Sequence, residues 1–278
     1  MTRGQLARAG RALCAAALCA WGMSAAAATP LRICALSHNL PYSARASDNG
    51  YDVDVARAVA AKLARPLATV WVDNPAALTE IDDSDYPVHR LQKGACDAIF
   101  SMPGPAGDTL KKTPALALGA PYYGAAFELI GPPGTPPYLK ALRDKQVAIQ
   151  AQTVASFAIA LLHGHQRTYF SPLAALEGVA RGEASAALVW GPVAGWQLKQ
   201  QPALALSIAE GYAPPPGLSW NLHVATRTED EALRDTIDRT LAALSAEGSL
   251  ARIAGQYGIP WRAPFAVTYS LTELNKLR

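Results

Sequence analysis

Long apolar runs, catalytic signatures and surplus charge are all scarce in this 278-residue chain. Past its N-terminal segment, no stretch approaches the roughly 20 apolar residues that cross a bilayer. No G-x-S-x-G elbow, P-loop or G-x-G-x-x-G fingerprint occurs, which removes the usual hydrolase, nucleotide and dinucleotide signatures. No Cys/His pair stands at a recognisable spacing, so an enzyme is the weakest class; only a triad drawn from distant residues would escape this reading. Metal-ligating patterns are equally thin. His163-Gly164-His165 puts two imidazoles at i, i+2, which do not share a helix face, and reads as a solvated loop. Glu80, Asp82, Asp83 and Asp85 lack the glycine and distal glutamate of a calcium loop and read as a solvated acidic surface. Neither a metal nor a cofactor is expected.

What is present at the N-terminus is a targeting segment. Arg3, Arg8 and Arg11 precede a short Ala/Leu-rich run, and Ala26-Ala27-Ala28 offers an A-x-A cleavage pattern. Residues 1–28 are expected to be a cleavable signal that delivers the protein to the periplasm. Cys14 and Cys19 lie inside it, each directly after Leu, where a lipid-anchored protein needs a small residue. The chain carries 25 Lys+Arg against 22 Asp+Glu, and losing the three signal arginines leaves 22 of each. The apparent basicity belongs to the signal, so neither nucleic acid nor membrane insertion is expected of the mature protein. Its two cysteines, Cys34 and Cys96, are either a disulfide or two buried thiols, and an oxidising compartment favours the disulfide.

Strand-like runs alternate with amphipathic helices, the mark of an α/β fold. Leu31–Leu36 reads as a buried strand. Asp52 is placed to cap a helix whose Ala56, Val59, Ala60 and Leu63 share one face, and Ala68–Val72 is a second strand. A short helix at 89–93 stops at Gly94, before a third strand at 96–101. In a sheet of order 2-1-3, Cys34 and Cys96 fall on neighbouring strands. Further strands are expected at 126–130, 147–150, 186–190 and 222–226, with helices at 154–162, at 174–181 and from about Pro192. The tail is helical, with stripes at Leu233, Ile237, Leu241 and Leu244 and at Leu250, Ile253, Ala254 and Tyr257. Trp261–Arg278 reads as a surface wrap or small terminal element.

In order and spacing these pieces resemble the type II periplasmic solute-binding proteins. The resemblance runs through Gly50-Tyr51-Asp52-Val53-Asp54-Val55-Ala56 at the first helix, Leu91–Phe100, Pro121-Tyr122-Tyr123, Gln150–Thr153 and the closing helices. It implies an α/β fold of two lobes joined by two hinge crossovers near 122–127 and 217–224. Residues 29–124 plus 218–278 would form lobe one and 125–217 lobe two. A ligand would lie between them, at strand carboxyl ends.

Two departures qualify that expectation. Amino-acid receptors of this kind grip the α-carboxylate with an Arg after the lobe-one strand, but residues 101–112 contain none, and Lys111 or Lys112 would supply only a point charge. They hold the α-ammonium with an Asp in lobe two, but here that place reads Trp190-Gly191-Pro192. Val189-Trp190-Gly191-Pro192-x-Ala194-Gly195, Asn39-Leu40-Pro41-Tyr42-Ser43 and Gly94-Ala95-Cys96-Asp97 are instead similar to a narrower group, the MoxJ/XoxJ-type proteins associated with quinoprotein alcohol dehydrogenases. That resemblance implies a non-catalytic periplasmic accessory protein that engages a PQQ-dependent, often methanol-type, alcohol dehydrogenase and assists its maturation. The alternative is an ABC-transporter receptor for a small solute other than an amino acid. For either reading the cleft candidates are Asn39, Tyr42, Ser101, Tyr122, Gln152, Thr153, Trp190 and Gly191. Gln152 and Thr153 are singled out as a helix opening able to meet an anion or simply to cap.

Overall fold

In the computed structural model, residues 28–73, 86–104, 115–268 and 271–276 are described. Strand β1 (Leu31–Leu36) leads through a small hairpin, β2 (His38–Asn39) and β3 (Ser43–Ala44), into helix α1 (Tyr51–Lys62) and then β4 (Leu67–Val72). β1 and β4 run parallel, with Leu31 opposite Leu67 and Leu36 opposite Val72. The expected first strand matches residue for residue. α1 buries Tyr51, Val53, Val55, Ala56, Val59 and Ala60 against this pair. Each fully buried aliphatic side chain of this size contributes roughly 1.5–3 kcal/mol. The cap of α1 differs from expectation. Gly50 holds that position at φ 129°, where an added Cβ would lie 2.3 Å from the carbonyl oxygen of Tyr42, so only glycine fits. Asp52 lies inside the first turn instead.

Helix α2 (Pro87–Gln92) precedes β5 (Ile99–Pro103). A parallel bridge between Ile33 and Ala98 sets this strand on the free side of β1, giving the order β4-β1-β5. Cys34 and Cys96 form a disulfide there, with Cα atoms 5.6 Å apart. An ionic knot covers it. Asp97 accepts from the Arg32 backbone at 3.0 Å and from its guanidinium at 2.5 and 3.2 Å. Arg227 donates to the carbonyl of Cys96 at 2.7 Å.

The larger sheet is organised by two long strands. β6 (Leu116–Leu118) is followed by β7 (Tyr123–Gly131), all nine residues of which are buried. β8 (Gln146–Gln150), β9 (His165–Tyr169), β10 (Ala186–Trp190), β11 (Ser207–Ile208) and β12 (Ser219–Arg227) complete the set. β7 and β12 pair antiparallel from Tyr123–Leu222 to Ala126–Ser219. Beyond that ladder they diverge. β7 continues alongside β10 and β11, whereas β12 continues alongside β5 and β6. The path is β5-β12-β7-β10-β8-β9, and two α/β lobes result, joined through these strands. One core lies under β1 and α1; others flank β8 and β10.

Two regions depart from the sequence reading. His165 opens an edge strand, paired parallel with β8 from Gln146–His165 to Gln150–Tyr169, rather than lying in a loop. The terminal segment is structural as well as superficial. Trp261 stacks on Tyr123 with ring centres 5.3 Å apart. Arg262 donates twice to Glu128, at 3.0 and 2.8 Å, and the Glu128 carboxylate is wholly buried. Asn221 exchanges hydrogen bonds with the Phe265 backbone. The tail therefore clamps both crossing strands. A short helix, Leu271–Asn275, follows.

A disulfide spanning 62 residues restricts the unfolded chain strongly. Cys34→Ser is expected to cost about 2–4 kcal/mol and to expose one free thiol. Urea melts and thiol titration of the denatured mature chain check this; an unchanged midpoint, with two free thiols in the unaltered protein falling to one in the variant, would show the bridge is not formed in solution.

Candidate functional site

Three strand ends converge on a cavity of about 330 Å³. The hairpin after β1 brings Asn39 and Tyr42 to it, β5 brings Phe100 and Ser101, and β10 brings Trp190. Leu222 of β12 and Asp52 of α1 complete the part of the wall that matters most here. This is the crevice at strand carboxyl ends where open α/β folds take their ligands.

Trp190 crosses the gap. Its indole Nε1 donates to the Tyr42 hydroxyl at 2.7 Å. The ring packs against the cores on both sides of the cleft. It also meets Phe127 and Trp220 edge-on, with centres 5.6 Å away in each case. Burial raises the Tyr42 pKa far above its ordinary value, so the hydroxyl is a neutral acceptor for the indole.

Deeper in, the Ser101 hydroxyl donates to Asp52 Oδ1 at 2.5 Å. Tyr122 sits behind them, 4% exposed, with its hydroxyl 3.1 Å from the Ser101 backbone nitrogen and 3.2 Å from Oγ. Ser101 adopts φ 53°, a left-handed conformation uncommon outside glycine, and this network holds it there. Burial pushes the Asp52 carboxyl up to about 7, with the Ser101 hydrogen bond opposing the rise. Burial, then the nearby Asp52 charge, keeps Tyr122 protonated.

Of the sequence candidates, Asn39, Tyr42, Ser101 and Trp190 line the cavity together. Tyr122 supports Ser101 from behind. Gly191 is buried behind Trp190, where a Cβ would lie 2.6 Å from the Glu128 side chain and 2.9 Å from the Ala126 carbonyl oxygen, so its role there is close packing. Gln152 and Thr153 are not in the wall. The Thr153 hydroxyl donates to the Gln150 carbonyl at 2.8 Å, and the following helix, Ala155–Leu161, has no side-chain cap. Glu80, Asp82, Asp83, Asp85, Lys111 and Lys112 lie outside the described residues. Sequence reasoning missed Asp52 as a wall residue. Its signal was the Gly50-Tyr51-Asp52 order, because a glycine cap leaves the acid free to turn inward.

The raised Asp52 pKa fixes a sign. Below about pH 4 the carboxyl is protonated whether folded or unfolded. Between its ordinary 3.8 and about 7 the unfolded chain releases the proton and the folded chain keeps it, so this group's contribution to stability falls as pH rises. Above 7 the penalty is constant. Asp52→Asn is expected to raise the melting temperature at pH 8, by about 2–4 °C per kcal/mol relieved, and to change it little at pH 4. Thermal melts at both values check this; equal shifts would contradict it.

Comparison with known proteins agrees with the geometry. Residues 31–259 match the bacterial extracellular solute-binding proteins, family 3. No curated protein matches the chain. Among solved structures, MxaJ from Methlophaga aminisulfidivorans MPT is similar at 21% identity and TM-score 0.61, covering 84% of this chain and 100% of that one. The periplasmic binding protein XoxJ from Methylobacterium extorquens AM1 is similar at 21% identity and TM-score 0.59, covering 84% and 99%. The L-cystine solute receptor of Neisseria gonorrhoeae, in its unliganded open conformation, is similar at 15% identity and TM-score 0.68, covering 82% and 92%. At these identities the likenesses speak to the fold. The family match covers most of the chain, and the chain is a member of the bacterial extracellular solute-binding proteins, family 3.

Proposed function

We propose that this protein is a periplasmic accessory protein built on a solute-binding frame, and that it engages a PQQ-dependent alcohol dehydrogenase of the methanol type. The observation that carries the reading is the Trp190–Tyr42 hydrogen bond. At the end of β10, where an amino-acid receptor of this kind would place a carboxylate, the chain puts an indole that bonds to its own opposite lobe. The cleft is thus bridged by protein groups, and the end of β10 supplies no acid for a zwitterion's ammonium. The resemblance of the Val189–Gly195 stretch and both cysteine segments to the quinoprotein-associated group supports the same reading. In this proposal residues 1–28 are the export signal, residues 29–124 plus 218–278 form lobe one, and 125–217 form lobe two. The disulfide fits an oxidising compartment. Among the described residues no helix is long and apolar enough to cross a membrane. No catalytic role is assigned to the chain.

A second reading, a transporter receptor for a small non-amino-acid solute, is favoured by the cavity of about 330 Å³ beneath Trp190. That volume is at the small end of ligand pockets.

The two readings separate on partners. Affinity capture from the native periplasm, with the chain from Thr29 onward as bait, is expected to retain a PQQ alcohol dehydrogenase saturably. Retention of transporter membrane subunits without a dehydrogenase would overturn the accessory role in favour of the receptor.

A further inference from the structure

The cavity has a chemical bias. Asp52 is the carboxylate in its described wall, and that wall contains no Lys or Arg. Oδ1 of Asp52 is occupied by the Ser101 hydroxyl. Among the described residues Oδ2 has no hydrogen-bond partner. The titratable groups around Asp52 are the hydroxyls of Tyr42 on the β2–β3 hairpin, Tyr51 on α1 and Tyr122 before β7. All three are held protonated and neutral, and a tyrosine carries no positive charge in either state, so none offsets the Asp52 carboxylate. A carboxylate desolvated in this way is costly until a cation reaches it.

The rest of the wall suits the same kind of guest. Tyr42, Tyr86, Phe100 and Trp190 are aromatic, and Met102 and Leu222 are apolar. Aromatic rings attract ammonium groups, and the apolar residues accept an alkyl chain. An anionic group in the same space would meet Asp52 without a described cation to offset it.

We propose that the cleft cavity binds a small organic ammonium ion that carries no carboxylate, with Asp52 Oδ2 as the acceptor. The inference rests on reading the cleft as a solute pocket and is independent of any dehydrogenase partner. The carboxylate pairs with the ammonium, and the aromatic and apolar residues surround the carbon chain. Binding lifts the desolvation penalty on Asp52, so affinity rises as pH increases through 7.

Isothermal titration of the mature chain with three matched probes tests this. n-Butylammonium has the proposed chemistry, norvaline adds an α-carboxylate to the same skeleton, and 1-butanol removes the charge. Butylammonium is expected to bind at least about tenfold more tightly than either of the others, the difference a charge-assisted hydrogen bond makes. Asp52→Asn is expected to abolish that preference, and butylammonium affinity for the unaltered protein is expected to fall at least about threefold between pH 8 and pH 6. The pH series needs no variant, so it stands even if Asp52→Asn folds poorly. Tighter binding of norvaline, equal binding of butanol and butylammonium, absence of butylammonium binding, or an affinity indifferent to pH would each overturn the proposal. Failure here leaves the dehydrogenase capture result untouched, and failure of that capture leaves this titration untouched.

Discussion

One hydrogen bond, from the Trp190 indole to the Tyr42 hydroxyl, joins the two halves of the molecule across the cleft. Its donor ends the strand β10 and its acceptor sits on the hairpin after β1, so it connects the carboxyl ends of two separate α/β units. Receptors of this architecture close around a ligand by hinge motion. Here a protein side chain already spans the gap and contacts both cores. Trp190 and Tyr42, the two partners of the bond, line the same cavity as Asp52 and Ser101.

That placement depends on the crossing strands. Trp190 pairs with Phe127 of β7, and β7 pairs with β12 four residues away in the chain or less, so a shift in register would carry the indole off the cleft. The tail secures this region through the Trp261–Tyr123 stack and the Arg262–Glu128 pair. Glu128 is a costly residue to bury, and burial raises its pKa while Arg262 opposes the rise. Removing Arg262 would leave the buried Glu128 carboxyl, which lies against Gly191, without its partner. The pair therefore works as a positional clamp more than as a source of stability.

Much of the fold was legible in the sequence because its signals are local. The apolar runs of β1 and β10 marked strands to the residue, and the stripe of Ala56, Val59, Ala60 and Leu63 marked α1. The disulfide followed from strand order, although the third strand begins at Ile99 rather than at residue 96: Cys34 on β1 and Cys96 just before the neighbouring parallel β5 come within reach. What escaped was set by distant partners. β9, His-Gln-Arg-Thr-Tyr, has no apolar alternation and is a strand because β8 offers its free edge. The tail looked peripheral because its anchors, Tyr123 and Glu128, lie over a hundred residues earlier. At the site, Asn39, Tyr42, Ser101 and Trp190 were recognisable as strand-end residues. Asp52 was not, because capping and inward-facing acids share the same sequence context and only the conformation of Gly50 separates them. Gln152 and Thr153 showed the converse, a helix opening whose hydroxyl turns back to the preceding strand.

The central feature of the molecule is a cleft bridged by the protein's own groups. Small-angle X-ray scattering of the ligand-free mature chain, beside Trp190→Phe, tests that most directly, because phenylalanine keeps an aromatic ring and loses the indole N–H. The expected result is a compact unaltered protein and a larger radius of gyration for the variant, with unchanged circular dichroism. The same radius for both proteins, or an unaltered protein already as extended as the variant, would show that the Trp190–Tyr42 bond does not hold the lobes together.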